Sequence, residues 1–185
     1  MPQPVARFIA VLVLVCAAAS GCTHPDRGQH LQIADDKRMS DGLDAFFYEI
    51  IHVLDAGKDA SAPNGGSAPC DQFDVTNFQD GEFSPYNIAS FSSIDGVPTE
   101  KAIPAIMRLK AHAEQNGWKI SSFRPATGTR TSTEIAGHAS GYRYGYGYGF
   151  RVEAMHDMNR IVLSVGSDCV RDPRDHRRTV PDSPY

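Results

Sequence analysis

The stretch that decides the fold runs from Tyr142 to Ala154 and reads YRYGYGYGFRVEA. Every even position holds an aromatic or apolar residue, whereas the odd positions hold glycine, arginine or glutamate. Successive side chains of a β-strand point to opposite faces of a sheet, so this alternation predicts a long strand with one apolar face. After a turn at 156–159, Ile161, Leu163 and Val165 alternate in the same way. The two segments therefore predict an antiparallel hairpin.

Two helices are predicted upstream of this hairpin. Apolar residues recur at helical spacing from Leu43 to Leu54, with Ser40 or Asp41 placed to cap the helix and Gly57 to end it. A second helix is predicted from Thr99, which can cap it, to Gly117. Its inward-facing residues are predicted to be Ile103, Ile106, Leu109 and Ala113.

Short strands are also predicted at 73–78 and 118–123, where apolar and polar residues alternate. Glycine, proline and serine make the segments 58–69, 80–98 and 125–140 resemble loops or irregular connections. The order helix, strand, helix, strand, strand, strand favours an α+β fold. We expect an antiparallel sheet of about four strands with two helices packed on one face.

The first residues have the order of a bacterial signal peptide. Arg7 precedes an apolar run at 8–19, and small residues follow before Cys22. The run is shorter than the roughly 20 residues that a membrane-spanning helix needs. Ala19-Ser20-Gly21-Cys22 resembles the lipobox, in which a diacylglyceryl group joins the cysteine thiol before cleavage on its amino side.

This resemblance makes residues 1–21 a lipoprotein signal peptide and Cys22 the lipidated first residue of the mature chain. The expected location is the outer face of the cell membrane, to which the lipid on Cys22 holds the protein. The alternative is an ordinary secretory signal with cleavage near Ala19 or Gly21, which would leave no lipid anchor.

Two cysteines remain in the mature chain after Cys16 leaves with the signal and Cys22 is acylated. An exported protein meets an oxidising compartment, so we predict a disulfide between Cys70 and Cys169. The alternative is a metal or redox pair, but the two residues lack the CxxC spacing typical of such sites.

The mature chain is long enough for one domain. We expect a lipidated tether at 22–39, a single α+β domain at 40–170 and a disordered tail at 171–185. After residues 1–21 are removed, 17 basic and 22 acidic side chains remain, so the formal charge is −5. This charge argues against nucleic-acid binding, for which a basic surface is expected.

A tyrosine ladder formed by Tyr142, Tyr144, Tyr146 and Tyr148 is the most unusual feature. Tyrosine offers an apolar ring and a polar tip, so one strand face with four of them could stack against sugar rings or aromatic side chains of a partner. Two alternatives stay open. The tyrosines can pack beneath the helices, or the glycine-rich segment can be partly a mobile loop.

Catalytic and metal sites have weaker signals. His138, Ser140 and Asp157 can be combined on paper into a Ser-His-Asp triad, but Gly137–Gly141 does not match the G-x-S-x-G nucleophile elbow. His156 beside Asp157 could approach His138 or His112 at a metal, yet no metal-binding spacing is present. We therefore predict neither a metal nor another cofactor, and the glycines at 145–149 lack the pattern of a nucleotide loop.

Several features together resemble the small uncharacterised lipoproteins of actinobacteria. They are the lipobox, a helix ending in Asn116-Gly117-Trp118, the strand at 141–152, and a last strand that closes in Ser167-Asp168-Cys169-Val170. The resemblance covers roughly residues 70–171 and implies a disulfide and an envelope location, but no known activity.

The sequence therefore favours an envelope lipoprotein whose domain is a non-enzymatic binding module for a protein partner or an envelope ligand. The alternatives are an envelope hydrolase and a toxin-neutralising or inhibitory lipoprotein. An inhibitor of that kind would expose an acidic or aromatic patch.

Overall fold

The computed structural model describes residues 31–70, 85–127 and 131–174. Two helices and six strands lie within these residues. In chain order they are α1 (Asp36–Leu54), β1 (Asn64–Pro69), β2 (Tyr86–Asp95), α2 (Thr99–Gln115), β3 (Lys119–Arg124), β4 (Ser132–Arg143), β5 (Tyr146–Met155) and β6 (Arg160–Ser167). The predicted α+β class is confirmed, but the sheet has six strands and not about four.

All neighbouring strands of the sheet are antiparallel, and their order is β1-β2-β6-β5-β4-β3. The predicted hairpin is confirmed as β5 and β6, in which Phe150 pairs with Val165 and Val152 with Leu163. This register places the apolar side chains of both strands on one face of the sheet. The buried core on that face includes residues of both helices, so α1 and α2 cover the same face.

Three strands lie where the sequence predicts loops or irregular chain. Strand β1 lies in 58–69, β2 in 80–98 and β4 largely in 125–140. Several of their helix-facing positions hold small or polar residues beside Ile94 of β2 and Ile135 of β4, so the apolar alternation that reveals a strand is incomplete. The strand predicted at 73–78 falls outside the described residues.

Two positions show why β2 and β4 lack a clear apolar alternation. Ser92 of β2 is buried at a helix-facing position and donates a hydrogen bond to the carbonyl oxygen of Ser61 at 2.7 Å. Gly137 of β4 lies beneath Phe150, and a Cβ there would come within 2.8 Å of the Phe150 ring. Both residues suit the packing, and both remove an apolar side chain from the sequence pattern.

The long strand predicted over 142–154 is interrupted by a turn. Tyr144 and Gly145 have φ values of 56° and 83°, respectively, and connect β4 to β5. Two consecutive residues with positive φ are typical of the tight turns that join antiparallel strands. The alternation continues through the turn because its flanking residues still point toward the same core.

Helix α1 begins and ends earlier than predicted. Asp35 caps it, because its carboxylate accepts a hydrogen bond from the N–H of Arg38 at 3.1 Å. The helix ends at Leu54, and Asp55 follows with φ 39°. The predicted caps Ser40 and Asp41 are therefore wrong, because both residues lie inside the helix. Gly57, which was predicted to end the helix, lies beyond its C-terminal cap.

The segment before α1 pairs with the segment after β6. Ile33 forms a β-bridge with Arg171, and the N–H of Ala34 donates to the carbonyl oxygen of Arg171 at 2.9 Å. Residues 33–39 therefore belong to the folded domain, and so does Arg171, which was assigned to the tail. Residues 1–30 and 175–185 lie outside the described residues.

Helix α2 follows the prediction closely. It starts at Thr99, with Pro98 at the cap position, and ends at Gln115 just before Gly117. The inward face differs at one residue, since Ile103 is 39% exposed while Ala102 and Ala105 are buried. Two alanines therefore occupy buried positions of the helix, and Ile103 lies outside the core.

The predicted disulfide is confirmed. Cys70 follows β1 and Cys169 follows β6, and their Cα atoms are 6.1 Å apart. The bond joins residues 99 positions apart in the chain and ties the edge of the sheet to its centre. In the part of the chain that the structure describes, neither helix is long and apolar enough to cross a membrane.

Candidate functional site

The tyrosine ladder does not form one free surface. Tyr146 and Tyr148 point from β5 toward the helices and are 4% and 0% exposed. Tyr142 of β4 is partly buried against the core, and Tyr144 at the turn is 54% exposed. Tyr146 and Tyr148 therefore belong to the core, as the alternative interpretation has it, and cannot form a binding face with the other two.

Tyr148 holds helix α1 against the sheet. Its hydroxyl donates a hydrogen bond to the backbone carbonyl oxygen of Met39 at 3.0 Å, and its ring lies 5.7 Å from that of Phe46. Gly42 makes this contact feasible, because a Cβ there would lie 2.9 Å from Cζ of Tyr148 and closer still to its hydroxyl. Burial raises the pKa of the Tyr148 phenol well above its ordinary value.

His138 and Ser140, two members of the triad considered in the sequence, lie close together on the sheet face opposite the helices. Nδ1 of His138 lies 3.2 Å from Oγ of Ser140. The third member, Asp157, is distant, because Ser132 pairs with Met155 and six residues of extended strand, roughly 20 Å, separate Ser132 from His138. Asp168 takes the position instead, with Oδ1 2.7 Å from Nε2 of His138.

Gly147 provides the space for this His138–Asp168 pair. A Cβ at Gly147 would lie 2.8 Å from Cε1 of His138 and would also collide with the Asp168 carboxylate. When Nε2 of His138 carries the proton, it donates to Asp168 and leaves the Nδ1 lone pair facing the Ser140 hydroxyl. In a Ser-His-Asp triad the histidine likewise accepts the serine proton while the aspartate holds its other nitrogen. Here Nδ1 faces the serine and Nε2 the aspartate, the reverse of the usual arrangement.

A second polar cluster joins both helices to the β4–β5 hairpin. Nε2 of His112 lies 2.7 Å from Oε1 of Glu49, and the Tyr142 hydroxyl donates to the other carboxylate oxygen of Glu49. Burial raises the pKa of the Tyr142 phenol, and its hydrogen bond to Glu49 adds to the effect. These contacts satisfy polar groups at the end of the core, so we assign the cluster a structural role.

The residues considered for a metal site do not converge. His156 and Asp157 lie on the single 3-10 turn between β5 and β6, while His138 and His112 lie in separate clusters. Within the three described ranges, no group of three or more His, Cys, Asp or Glu residues is arranged to hold a metal ion.

A groove of about 660 Å³ lies between helix α1 and the edge of the sheet formed by β1 and β2. One side of the groove is the face of α1 that carries Ser40 and Asp44. The other side is the helix-facing surface of β1 and β2. Met39 and Leu43 border the groove but are only 1% and 3% exposed. The accessible apolar floor is formed by Tyr86 and Ile88, and the polar walls include Ser40, Asp44 and Ser67. Such a combination is typical of binding sites.

Acidic side chains dominate the charge of the groove. Among the residues that the structure describes, Asp36, Asp44 and Asp172 line it together with one cation, Arg174. The Tyr86 hydroxyl donates to Asp36, and Arg174 donates to both carboxylate oxygens of Asp172. These hydrogen bonds from Arg174 lower the pKa of Asp172 to about 2, so its carboxylate is ionised at neutral pH.

Sequence reasoning missed the groove and Asp168. Half of the groove is made by β1 and β2, which carry no apolar alternation, so their position beside α1 was not predicted. Asp168 lies next to Cys169 in the closing motif, but only the pairing of β5 with β6 brings it beside Gly147, whose carbonyl oxygen accepts the N–H of Asp168 at 2.9 Å.

Comparisons with protein-family models, with curated proteins and with solved structures found no match for this chain.

Proposed function

We propose that the protein is an envelope lipoprotein, anchored through Cys22 at the outer face of the cell membrane, whose domain binds a partner and does not catalyse a reaction. The anchor is supported by the apolar run at 8–19 and by the small residues before Cys22. The resemblance to actinobacterial lipoproteins agrees with the same location.

The observation that carries the binding function is the groove between α1 and the β1–β2 edge. Its volume of about 660 Å³ lies in the range of pockets that hold ligands. The floor contributes apolar contact through Tyr86 and Ile88, and the walls contribute charge through Asp44 and its acidic neighbours. Apolar area provides affinity, while the charged wall selects which ligands fit.

The anchor is tested by replacing the acylated residue. A Cys22→Ser variant of the full chain should leave the membrane fraction, because the acyl chains contribute about 0.8 kcal/mol per buried CH₂ to membrane binding. Fractionation followed by immunoblotting measures this. Unchanged partition of Cys22→Ser with membranes would contradict the lipid anchor.

The groove is tested with two matched charge reversals in the membrane-anchored protein. Asp44 lines the groove, whereas Glu100 is exposed on α2 and lies outside it. Partners are cross-linked in intact cells and identified by mass spectrometry. We expect Asp44→Lys to lose the partners of the wild-type protein and Glu100→Lys to retain them. Equal partner sets for both variants would show that the groove is not the binding site.

A hydrolase is the second candidate, because Ser140, His138 and Asp168 have triad-like contacts. It predicts that a fluorophosphonate probe labels the wild-type protein on Ser140 and that Asp168→Ala reduces the labelling rate, whereas Asp157→Ala leaves it unchanged. The control is Ser140→Ala, which should abolish labelling. Absence of labelling in the wild-type protein would remove this candidate.

A further inference from the structure

The two edges of the sheet differ in how they are protected against pairing with another strand. At one edge, β3 carries Lys119 and Arg124 and has a register shift between Ile120 and Ser122. Charges and bulges of this kind discourage the addition of a further strand. At the other edge, β1 reads NGGSAP, has no charged residue and pairs with β2 without a register shift. Pro69 ends β1, so the stretch 64–68 is the part of this edge that is suited to pairing.

The register identifies the backbone groups of β1 that face outward. The N–H of Cys70 donates to the carbonyl oxygen of Pro85 at 2.9 Å, so this pair is hydrogen-bonded. Hydrogen-bonded and non-hydrogen-bonded pairs alternate along an antiparallel ladder. Gly66 and Ala68 therefore bond to β2, while the N–H and C=O groups of Gly65 and Ser67 point away from the sheet.

The opposite strand agrees with this assignment. Ile88 faces Ser67 across the ladder, and its N–H donates to Oγ of Ser167 on the β6 side at 3.1 Å. Tyr86 likewise exchanges hydrogen bonds with Val170 at 3.0 and 2.9 Å. Because β2 directs these groups away from β1, Gly65 and Ser67 present two N–H donors and two carbonyl acceptors at an exposed edge.

The same two residues line the groove. Gly65 and Ser67 lie on the helix-facing side of β1, opposite Ser90 and Ile88. A strand added beside β1 would place alternate side chains on that side, against the flank of α1. There they would meet an apolar floor and the carboxylate of Asp44. Main-chain pairing and pockets for alternate side chains are the two parts of recognition by strand addition.

We propose that the β1 edge and its groove bind an extended segment of a partner protein as a seventh strand, with a lysine or arginine of that segment facing the groove. This inference rests on the proposed binding function and names its ligand class. Lysine and arginine fit because a long aliphatic stem can cover Tyr86 and Ile88 while the charged end reaches Asp44. Asp36 adds negative charge, whereas the Asp172 carboxylate is paired with Arg174.

The probe is the terminally blocked heptapeptide Thr-Val-Thr-Lys-Thr-Val-Thr. A second peptide has glutamate in place of the central lysine. Each peptide is titrated into the full-length chain in detergent micelles. Changes in amide NMR shifts measure its affinity, and hydrogen exchange shows which amides it protects. The lysine peptide should bind more tightly and should slow exchange of the Gly65 and Ser67 amides.

Two substitutions of Ser67 separate strand pairing from side-chain contact. Ser67→Pro removes an outward N–H without removing a hydrogen bond to β2, a position at which edge strands tolerate proline. It should weaken lysine-peptide binding by about tenfold relative to Ser67→Ala, which removes only the hydroxyl and keeps the outward N–H. Asp44→Lys should reverse the preference between the two peptides, and Glu100→Lys should preserve it.

Equal binding of the lysine peptide to Ser67→Pro and Ser67→Ala would overturn strand addition. So would exchange protection that avoids Gly65 and Ser67, or the absence of peptide binding. The proposed function has a separate outcome, because cross-linked partners that depend on Asp44 would still establish the groove as a binding site if strand addition fails.

Discussion

Replacing Gly42 with alanine should destabilise this protein, although the same substitution stabilises most helices. In an ordinary helix interior, alanine is favoured over glycine by about 1 kcal/mol. Here the added Cβ would lie 2.9 Å from Cζ of Tyr148, whereas carbon atoms in good contact are about 3.5–4.0 Å apart. Helix α1 or the Tyr148 ring must therefore shift by about 1 Å at a fully buried position.

The change in the free energy of unfolding is the balance of overpacking, a lost hydrogen bond and a gain in helix propensity. Overpacking of a dense core costs about 1–3 kcal/mol, and losing the Tyr148 hydrogen bond to Met39 costs about 1 kcal/mol more. The helix propensity of alanine offsets part of this. We expect the free energy of unfolding to fall by about 1–3 kcal/mol.

Urea denaturation of the full-length chain measures the effect, with fluorescence of Trp118 as the probe. Trp118 is the single tryptophan, and its ring centroid lies 4.9 Å from that of Phe46 on α1. In a double-mutant cycle, Tyr148→Phe removes the closest clashing atom. It should therefore reduce the cost of Gly42→Ala by about 1 kcal/mol. Increased stability of Gly42→Ala would refute this close packing of α1 on Tyr148.

Further predictions concern the disulfide and two ionisable groups. Replacing Cys70 and Cys169 together with serine should lower the free energy of unfolding by about 2–5 kcal/mol, measured by urea denaturation, and insensitivity of the wild-type protein to reductant would count against the bond. The carboxyl carbon of Asp172 should titrate in NMR near pH 2, and Arg174→Ala should raise that midpoint toward 3.8. Since the pKa of folded Asp172 is depressed, its contribution to stability is present above pH 3.8 and is lost as the pH falls toward 2. The buried Tyr148 has a raised pKa, so its stabilising contribution is present below pH 10 and is lost at higher pH. A spectrophotometric titration in which Tyr148→Phe removes an ordinary transition near pH 10 would contradict this.

The elements that the sequence predicted are those with large apolar side chains on one face. Helices α1 and α2 and strands β5 and β6 bury such residues against each other, so periodicity reveals them. In β4 the inward position beneath Phe150 is a glycine, because the neighbouring ring already fills the space. A strand of this kind is defined by its partners, and its own sequence carries little apolar signal.

The candidate sites show the same limit. His138 and Ser140 are two residues apart on one strand, so their proximity could be predicted from the sequence. Asp168 reaches His138 across β5, at a point where Gly147 leaves room for both side chains. The groove requires the placement of α1 beside β1, which depends on tertiary packing.

The central claim is that the protein binds through the groove between α1 and the β1–β2 edge. A photoreactive amino acid placed at Ser40 tests it most directly, with Ser164 on the opposite face of the sheet as the matched control. After illumination of cells carrying the membrane-anchored variants, our account predicts a cross-linked partner from Ser40 and none from Ser164. Cross-linking from Ser164 alone would contradict it and would direct attention to the sheet face that carries His138.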